Sequence, residues 1–179
     1  MAMLVIHILA ATASLVWMFI EWRRFGKPSL IGVVTGMVAG LATVTPASGY
    51  IGVPGGLVLG FFGGLFCYLA VDYIRGKVQI DDSLDVFAVH GVGGILGTLL
   101  VAFLATSTFS GLGLAEGQTA VSQFFVQLKA VVLTVVWTSV LTYSILKITS
   151  FIVPLRVDEQ EEIEGLDLRS HGEKGYHSD

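Results

Sequence analysis

Five long apolar runs, separated by short polar or glycine-rich connections, dominate the chain. A helix needs about 20 apolar residues to cross about 30 Å of hydrocarbon, and each run is close to that length or longer. The pattern therefore predicts five membrane-spanning helices, in which sequence neighbours are antiparallel because the connections are short. Their approximate bounds are 3–21, 29–46, 54–74, 84–105 and 121–152.

The composition favours an integral membrane protein. Hydrophobic residues make up 54% of the 179 residues and charged residues only 13%, and the mean hydropathy is +0.78. A soluble domain of this length carries more charge. Cys67 is the only cysteine, so the chain can form neither an internal disulfide nor a cysteine metal site. We therefore predict an all-α membrane domain over residues 1–153.

The residues after Pro154 differ sharply in composition from the rest. Acidic side chains crowd this segment, so it is too charged to lie in a membrane and is by default solvated. They are Asp158, Glu159, Glu161, Glu162, Glu164 and Asp167. We predict that residues 154–179 form a tail outside the membrane.

The lysine and arginine residues that flank the runs lie at one end of the predicted bundle. They follow the first, third and fifth runs and comprise Arg23, Arg24, Lys27, Arg75, Lys77 and Arg156. The connections 47–53 and 106–120 contain none. Because positive charge accumulates on the cytoplasmic side, the basic ends and the tail are expected there. The first run then starts outside without a basic leader, which favours further helices upstream.

Residue spacing within the runs predicts two kinds of contact. Asp72 lies three residues before Arg75, so an i, i+3 ion pair at the membrane boundary is expected. Glycines recur at every fourth residue in the second and third runs, which gives each helix a smooth ridge for close packing. They are Gly32, Gly36, Gly40, Gly56, Gly60 and Gly64.

One histidine lies inside the fourth run. The segment 81–98 begins with acidic residues of the kind that cap helices and continues as an apolar helix that carries His90. Hydrocarbon offers an imidazole no partner, so such a group usually belongs to a substrate or ion path. On an α-helix Val86, Gly94 and Gly97 share its face, and the glycines would let a neighbouring backbone approach the ring. A purely structural histidine, bonded to the next helix, is the alternative.

Three separated stretches of the chain carry a family resemblance. They read VTPASGYIG at 44–52, DDSLDVFAVHGVGG at 81–94 and GLDLRSHGEKGY at 165–176. In this order they resemble the ammonium transporter family. The resemblance covers nearly the whole chain but corresponds to the later part of that eleven-helix fold, from the seventh helix to the cytoplasmic tail. It therefore implies a fragment that lacks the first six helices.

The resemblance implies a pore for ammonium or ammonia. His90 resembles the second of two paired pore histidines, and Val86 resembles a wall residue of the same hydrophobic conduit. Thr35, Val38 and Asp85 match positions near the cytoplasmic exit. The partner histidine and the external recruiting site would belong to the absent helices. No cofactor, metal, nucleic-acid partner or enzymatic activity is implied.

The resemblance also implies a regulatory tail. Its motif positions are Gly165, Asp167, His171, Gly172, Glu173 and Tyr176. In the family the tail lies against cytoplasmic loops within a homotrimer in the cell membrane, and in bacterial members a PII-type signalling protein blocks that face. The acidic tail and the basic ends have opposite charges, which agrees with docking.

Two other functions stay open. A truncated relative could assemble or regulate without conducting. A haem-binding membrane anchor could use His7 and His90 as axial ligands. The two histidines start from opposite faces of the predicted bundle, so their heights should differ by more than one iron can bridge.

Overall fold

Helices make up the regular structure of the residues that the structure describes. A computed structural model describes residues 1–173, and within that range it contains helices and no strand. The helices are α1 (Ala2–Phe25), α2 (Leu30–Val44), α3 (Val53–Tyr73), α4 (Val92–Leu104), α5 (Ala120–Ser150) and the short α6 (Glu159–Glu164). The predicted all-α fold is confirmed.

Four helical stretches in residues 1–173 are long and apolar enough to cross a membrane. They are Ala2–Phe25, Val53–Val78, Phe87–Leu104 and Ala120–Ser150. The fifth apolar helix, α2, has 15 residues, which at 1.5 Å per residue span only about 22 Å. It ends at Val44, earlier than predicted, because the chain tightens into a turn from Thr45 onward, in which the Ala47 amide donates to the Val44 carbonyl (2.8 Å).

Short turns interrupt the helices at both ends of the connection between α3 and α4. A π-helical turn, Ile74–Val78, extends α3, and a second, Phe87–Gly91, precedes α4. Gln79 and Asp85, inside the connection, have positive φ angles of 54° and 55°. Non-glycine residues adopt this left-handed region infrequently, so the connection is tightly shaped.

Consecutive helices among α1 to α4 run antiparallel, and their core forms two layers. In one layer, Val5 at the start of α1 packs with Val44 at the end of α2 and Leu104 at the end of α4. In the other, Trp17 near the end of α1 packs with Tyr68 late in α3. The end of the bundle nearest this second layer carries the cations that follow α1 and α3, and we call it the basic end.

Glycine ridges allow α1 to contact both α2 and α3 closely. A Cβ atom on Gly40 would lie 2.9 Å from the Cα atom of Ala10, and one on Gly60 would lie 2.9 Å from the carbonyl oxygen of Leu9. Real side chains would not fit at these distances. The close packing predicted from the glycine repeats is thus present, with α1 as the common partner.

Loops at the end opposite the basic end pack on each other. The Leu112 amide donates to the Tyr50 carbonyl (3.0 Å), and the Gly113 amide donates to the Ala105 carbonyl (2.8 Å). The two connections without lysine or arginine therefore form one cap over the bundle. A cavity of about 440 Å³ lies beside them, lined in part by Tyr50 and Gln123.

The chain divides into two compact units, Met1–Val132 and the part from Leu133 onward. The division falls within α5, a helix of 31 residues in which no residue is buried. Its length agrees with the predicted run 121–152 and exceeds the hydrocarbon thickness. The predicted domain boundary after residue 153 stays a prediction.

Candidate functional site

His90 lies in the π-turn that precedes α4. Its side chain is exposed within this chain, and no hydrogen bond joins it to any part of residues 1–173. The preceding residues Ala88 and Val89 are buried, at 0% and 2% exposure. Val86 and Phe87, in contrast, are 52% and 62% exposed. The turn therefore has a buried side, formed by Ala88 and Val89, which we call its back. Its exposed side, formed by Val86, Phe87 and His90, we call the open front.

The acidic residues before the helix act as its cap. One Asp82 carboxylate oxygen accepts from the Val86 amide (2.8 Å) and the other accepts from the Phe87 amide (2.9 Å). These amides have no partner within the helix, and a carboxylate at a helix N-terminus also meets the positive end of its dipole. The cap-like role expected of this acidic stretch is present.

Asp85 forms a two-point ion pair with Arg75. The Arg75 Nε atom donates to Oδ1 (2.7 Å) and Nη2 donates to Oδ2 (2.6 Å). Asp85 is only 6% exposed, so its charge requires a close partner. The planar guanidinium matches both carboxylate oxygens at once, and the pair joins the end of α3 to the start of the His90 segment.

The expected pair between Asp72 and Arg75 is wrong. Asp72 instead accepts from Nη1 of Arg24 at 2.7 Å, and the same Arg24 atom lies 3.4 Å from the Tyr68 hydroxyl. The exposure of the two carboxylates accounts for the difference. The buried Asp85 carboxylate gains more from a cation than the half-exposed Asp72 does, so Arg75 pairs with Asp85.

The two glycines expected beside His90 have different surroundings. A Cβ atom on Gly97 would overlap the carbonyl oxygen of Thr43, whereas one on Gly94 would meet nothing within 4 Å. Gly97 thus lets α4 contact α2, and Gly94 stays on the open front. The expected groove that holds the imidazole against a neighbouring backbone is therefore not formed within residues 1–173.

A cavity of about 560 Å³ opens at the basic end between α1, α2 and α3. Thr35 and Asp85, two of the three predicted exit residues, both line it, together with Glu21 and Arg75. The Thr35 hydroxyl donates to the Ile31 carbonyl (2.9 Å). The structure therefore brings one hydroxyl and several charged groups to a common space.

The other predicted pore residues lie outside that cavity. Val38 is partly buried and packs against the cluster that contains Trp17 and Val89. Val86 and His90 are on the open front of the turn before α4 and do not line the cavity. The predicted set is thus split between an open helix face and the cavity at the basic end.

His7 and His90 lie at opposite ends of the bundle. His7 is in the second turn of α1, and its Nδ1 atom is 2.9 Å from the Met3 carbonyl of its own helix. Its neighbour Ile6 packs on the core layer away from the basic end, whereas Val89, beside His90, belongs to the layer at the basic end. This separation agrees with the height difference expected from the sequence.

The tail is organised by short-range pairs within the second unit. Arg156 donates to both carboxylate oxygens of Glu162, at 2.6 and 2.8 Å. These hydrogen bonds lower the pKa of the Glu162 carboxyl. Arg169 lies 3.6 Å from a Glu161 oxygen and 3.7 Å from a Glu164 oxygen. Since all these groups are at least partly exposed, the pairs contribute little to stability.

The tail motif adopts a compact turn. Gly165 and Gly172 have positive φ angles of 92° and 67°, which only glycine adopts freely. Between them, Asp167 and His171 bound a π-turn, and the Glu173 amide donates to the Asp167 carbonyl (3.0 Å). Tyr176, the last predicted motif residue, lies outside the described residues.

Comparison with known proteins decides the family. Residues 1–176 match the description "Ammonium Transporter Family". This chain belongs to the ammonium transporter family. The ammonium transporter of Aquifex aeolicus is 39% identical over 176 residues, covering 98% of this chain and 41% of that protein. Ammonium transporter Amt1 of Archaeoglobus fulgidus is 43% identical over 178 residues, covering 98% and 44%.

Solved structures give the same result. A sensor Amt protein superposes with a TM-score of 0.85 at 26% identity, covering 95% of this chain and 41% of that one. Candida albicans Mep2 gives a TM-score of 0.74 at 31% identity, covering 89% and 37%. The chain therefore spans less than half the length of the ammonium transporters that it matches.

Sequence reasoning missed two partners at the basic end of this family member. Arg75 binds Asp85 across ten residues of chain, and Glu21 accepts from the Ser29 amide at 2.7 Å. Ser29 in turn caps α2 by accepting from the Gly32 amide (2.9 Å). The helix-capping serine is recognisable from sequence. The two carboxylate partners depend on how the connections fold and have no local signal.

The contrast between Gly97 and Gly94 gives a test of the packing around the site. Gly97→Ala should lower the free energy of unfolding by about 1–3 kcal/mol, because its Cβ atom would displace the Thr43 backbone. Gly94→Ala is the matched control and should change it by less than about 0.5 kcal/mol. Thermal unfolding in detergent measures both. Equal losses would contradict the close contact of α4 with α2.

Proposed function

We propose that the chain is the later part of an ammonium transporter, in which His90 lines a hydrophobic conduit. The observation that supports this most is the exposed imidazole of His90, which has no partner in residues 1–173 and faces outward from an apolar helix. An unpaired imidazole at membrane depth is unfavourable. A second polar group or a substrate on the open front would supply the missing hydrogen bonds.

The chemistry of the conduit follows from desolvation. Ammonium as an ion is costly to move through hydrocarbon, whereas ammonia, after loss of a proton, is small and neutral. A neutral imidazole has one donor and one acceptor nitrogen, so His90 can hold the amine where water is absent. Val86, on the same open front, supplies an apolar wall.

The cavity at the basic end is the proposed exit of the conduit. Thr35 and Asp85 line it, and their hydroxyl and carboxylate suit an ion that regains its proton and its hydration. Val38 lies deeper, among apolar side chains. In this proposal the substrate passes from the apolar front of α4 to a polar vestibule.

The remaining half of the conduit would come from helices that precede this segment in the family fold. The resemblance assigns the chain to the seventh helix onward, and the chain covers 41% and 44% of two relatives. We propose that those helices supply the partner histidine that faces His90, and that complete copies assemble as a homotrimer in the cell membrane.

The tail is the proposed regulatory element on the cytoplasmic side. Positive residues follow α1 and α3, and the positive-inside rule places them in the cytoplasm. The tail carries the opposite charge, so attraction can align the two surfaces. Exposed pairs are individually worth only about 0–1 kcal/mol, so the exposed Leu166 and Leu168 would add specificity. A PII-type signalling protein is the proposed partner of this face in a bacterium.

Substitution of His90 tests the conduit. In a complete transporter that contains this segment, His90→Ala should reduce methylammonium uptake about tenfold or more, since one hydrogen bond worth about 1.4 kcal/mol corresponds to a factor of ten. His7→Ala is the control, because His7 is also exposed and contacts only its own helix. Uptake per assembled protein is measured. Unchanged rate and selectivity in His90→Ala would favour a structural histidine.

Cysteine labelling tests the orientation. In a Cys67→Ala background, a cysteine at Ser110 should react with an impermeant maleimide from outside, and one at Ser170 only after the membrane is opened. Both positions are exposed, so accessibility within the fold does not limit the reaction. The reverse labelling pattern would overturn the proposed topology.

Removal of the motif tests the regulatory tail. Deletion of residues 165–179 in a complete transporter should reduce uptake or PII binding, because it removes Leu166 and Leu168 without touching a membrane helix. Ile163→Ser, an exposed position just before the deletion, is the control. Uptake and PII pull-down are compared at equal membrane levels. If both equal those of the intact protein, the tail does not dock.

A further inference from the structure

We propose that Arg75 is a positioning residue for His90, acting through its two-point ion pair with Asp85. The pair holds the π-turn Phe87–Gly91, and the π-turn sets the direction in which the imidazole points. The functional part of this inference rests on the proposed role of His90 in the conduit, whereas its structural part does not.

The π-turn determines which face carries His90. A π-turn holds one residue more than an α-helical turn, and one residue corresponds to a rotation of about 100° around a helix. The Val92 amide donates back to the Phe87 carbonyl, five residues earlier. If the turn relaxed to α-helix, His90 would rotate relative to Gly97, which is fixed against Thr43. The imidazole would then leave the open front.

The back of the π-turn is held by packing. Ala88 and Val89 are buried, and the Cys67 thiol donates to the Val89 carbonyl at 3.7 Å. These contacts fix the distance of the turn from α3. They do not fix where the extra residue is accommodated, because that depends on how the chain enters the turn.

The entry to the turn is held by Asp82 and Asp85. The two bonds of Asp82 are local, since they reach only the amides of Val86 and Phe87. Asp85 has a φ angle of 55°, and its carbonyl accepts from the Val89 amide (2.8 Å). Its carboxylate is the group that ties this entry to α3, through Arg75.

The pair is asymmetric, which makes Arg75 the sensitive partner. The Asp85 side chain is 9% exposed and that of Arg75 is 57% exposed. Without Arg75, a carboxylate would be left buried and unpaired, which is strongly unfavourable. To be hydrated, the Asp85 carboxylate would have to turn away from its place beside Arg75 into the cavity that it lines, and this movement would disturb the left-handed turn and the π-turn after it.

Amide hydrogen exchange of residues 86–92 measures the structural part. Arg75→Gln should accelerate this exchange about tenfold, because it removes a charge-assisted bidentate contact. Lys77→Gln is the matched control: Lys77 lies in the same π-turn as Arg75, with its ammonium 5.7 Å from the Tyr73 ring. Lys77 has no acidic partner in residues 1–173, so the exchange of residues 86–92 in Lys77→Gln should equal that of the unaltered chain.

The ratio of methylammonium to ammonium uptake measures the functional part. A displaced imidazole changes how the two substrates are distinguished, so Arg75→Gln should alter this ratio in a complete transporter. A general loss of folded protein would lower both rates and leave the ratio unchanged. Arg75→Lys keeps the charge but lacks the planar guanidinium that binds both carboxylate oxygens. Its exchange rate at residues 86–92 and its ratio of methylammonium to ammonium uptake should therefore lie between those of Arg75→Gln and the unaltered chain.

Each outcome is decisive. Faster exchange with an altered ratio in Arg75→Gln supports the proposal. Unchanged exchange overturns it, and so does faster exchange with an unchanged ratio. If Arg75→Gln does not accumulate in membranes, Arg75→Lys is decisive by the same criteria. If His90→Ala transports normally, the proposed function fails, while the exchange result still establishes or overturns the link between Arg75 and the π-turn.

Discussion

Hydrocarbon supplies no hydrogen-bond partners, so polar groups in this chain must find them within the protein. Among residues 1–173 no buried side-chain nitrogen or oxygen lacks one. Many hydroxyls in the apolar helices bind the carbonyl four residues earlier. Examples are Thr12, Thr35, Thr43, Thr98 and Thr138. His90 differs from all of these, because its ring lies on an apolar helix and bonds to nothing in residues 1–173. The proposed conduit rests on this difference.

The same constraint explains the shape of the basic end. A carboxylate that is 6% exposed, Asp85, accompanies the left-handed turn that starts the His90 segment. It is stable there because Arg75 arrives from the π-turn that ends α3. The ion pair therefore joins the two irregular turns on either side of the connection between α3 and α4. The cavity lined by the proposed exit residues lies beside this pair.

Close packing of backbones supplies the rigid frame around these turns. Glycines in α2 and α3 allow both helices to contact α1, and Gly97 brings α4 against Thr43. In a membrane such contacts stabilise by van der Waals packing, since lipid tails are as apolar as leucine. The open front of α4 is then the side without such a neighbour in residues 1–173, and it is where the proposed conduit runs.

The sequence alone determined the features that depend on neighbours in the chain. Hydrophobic run length predicted the helices, the three motifs predicted the family, and the aspartates before Val86 predicted the cap. Its failures concern contacts between elements. Helical spacing paired Arg75 with Asp72, and a regular helix placed Gly94 and Gly97 on one face with His90. Only the tertiary structure showed the π-turns, because one inserted residue rotates every position beyond it, and only it showed which buried carboxylate Arg75 meets.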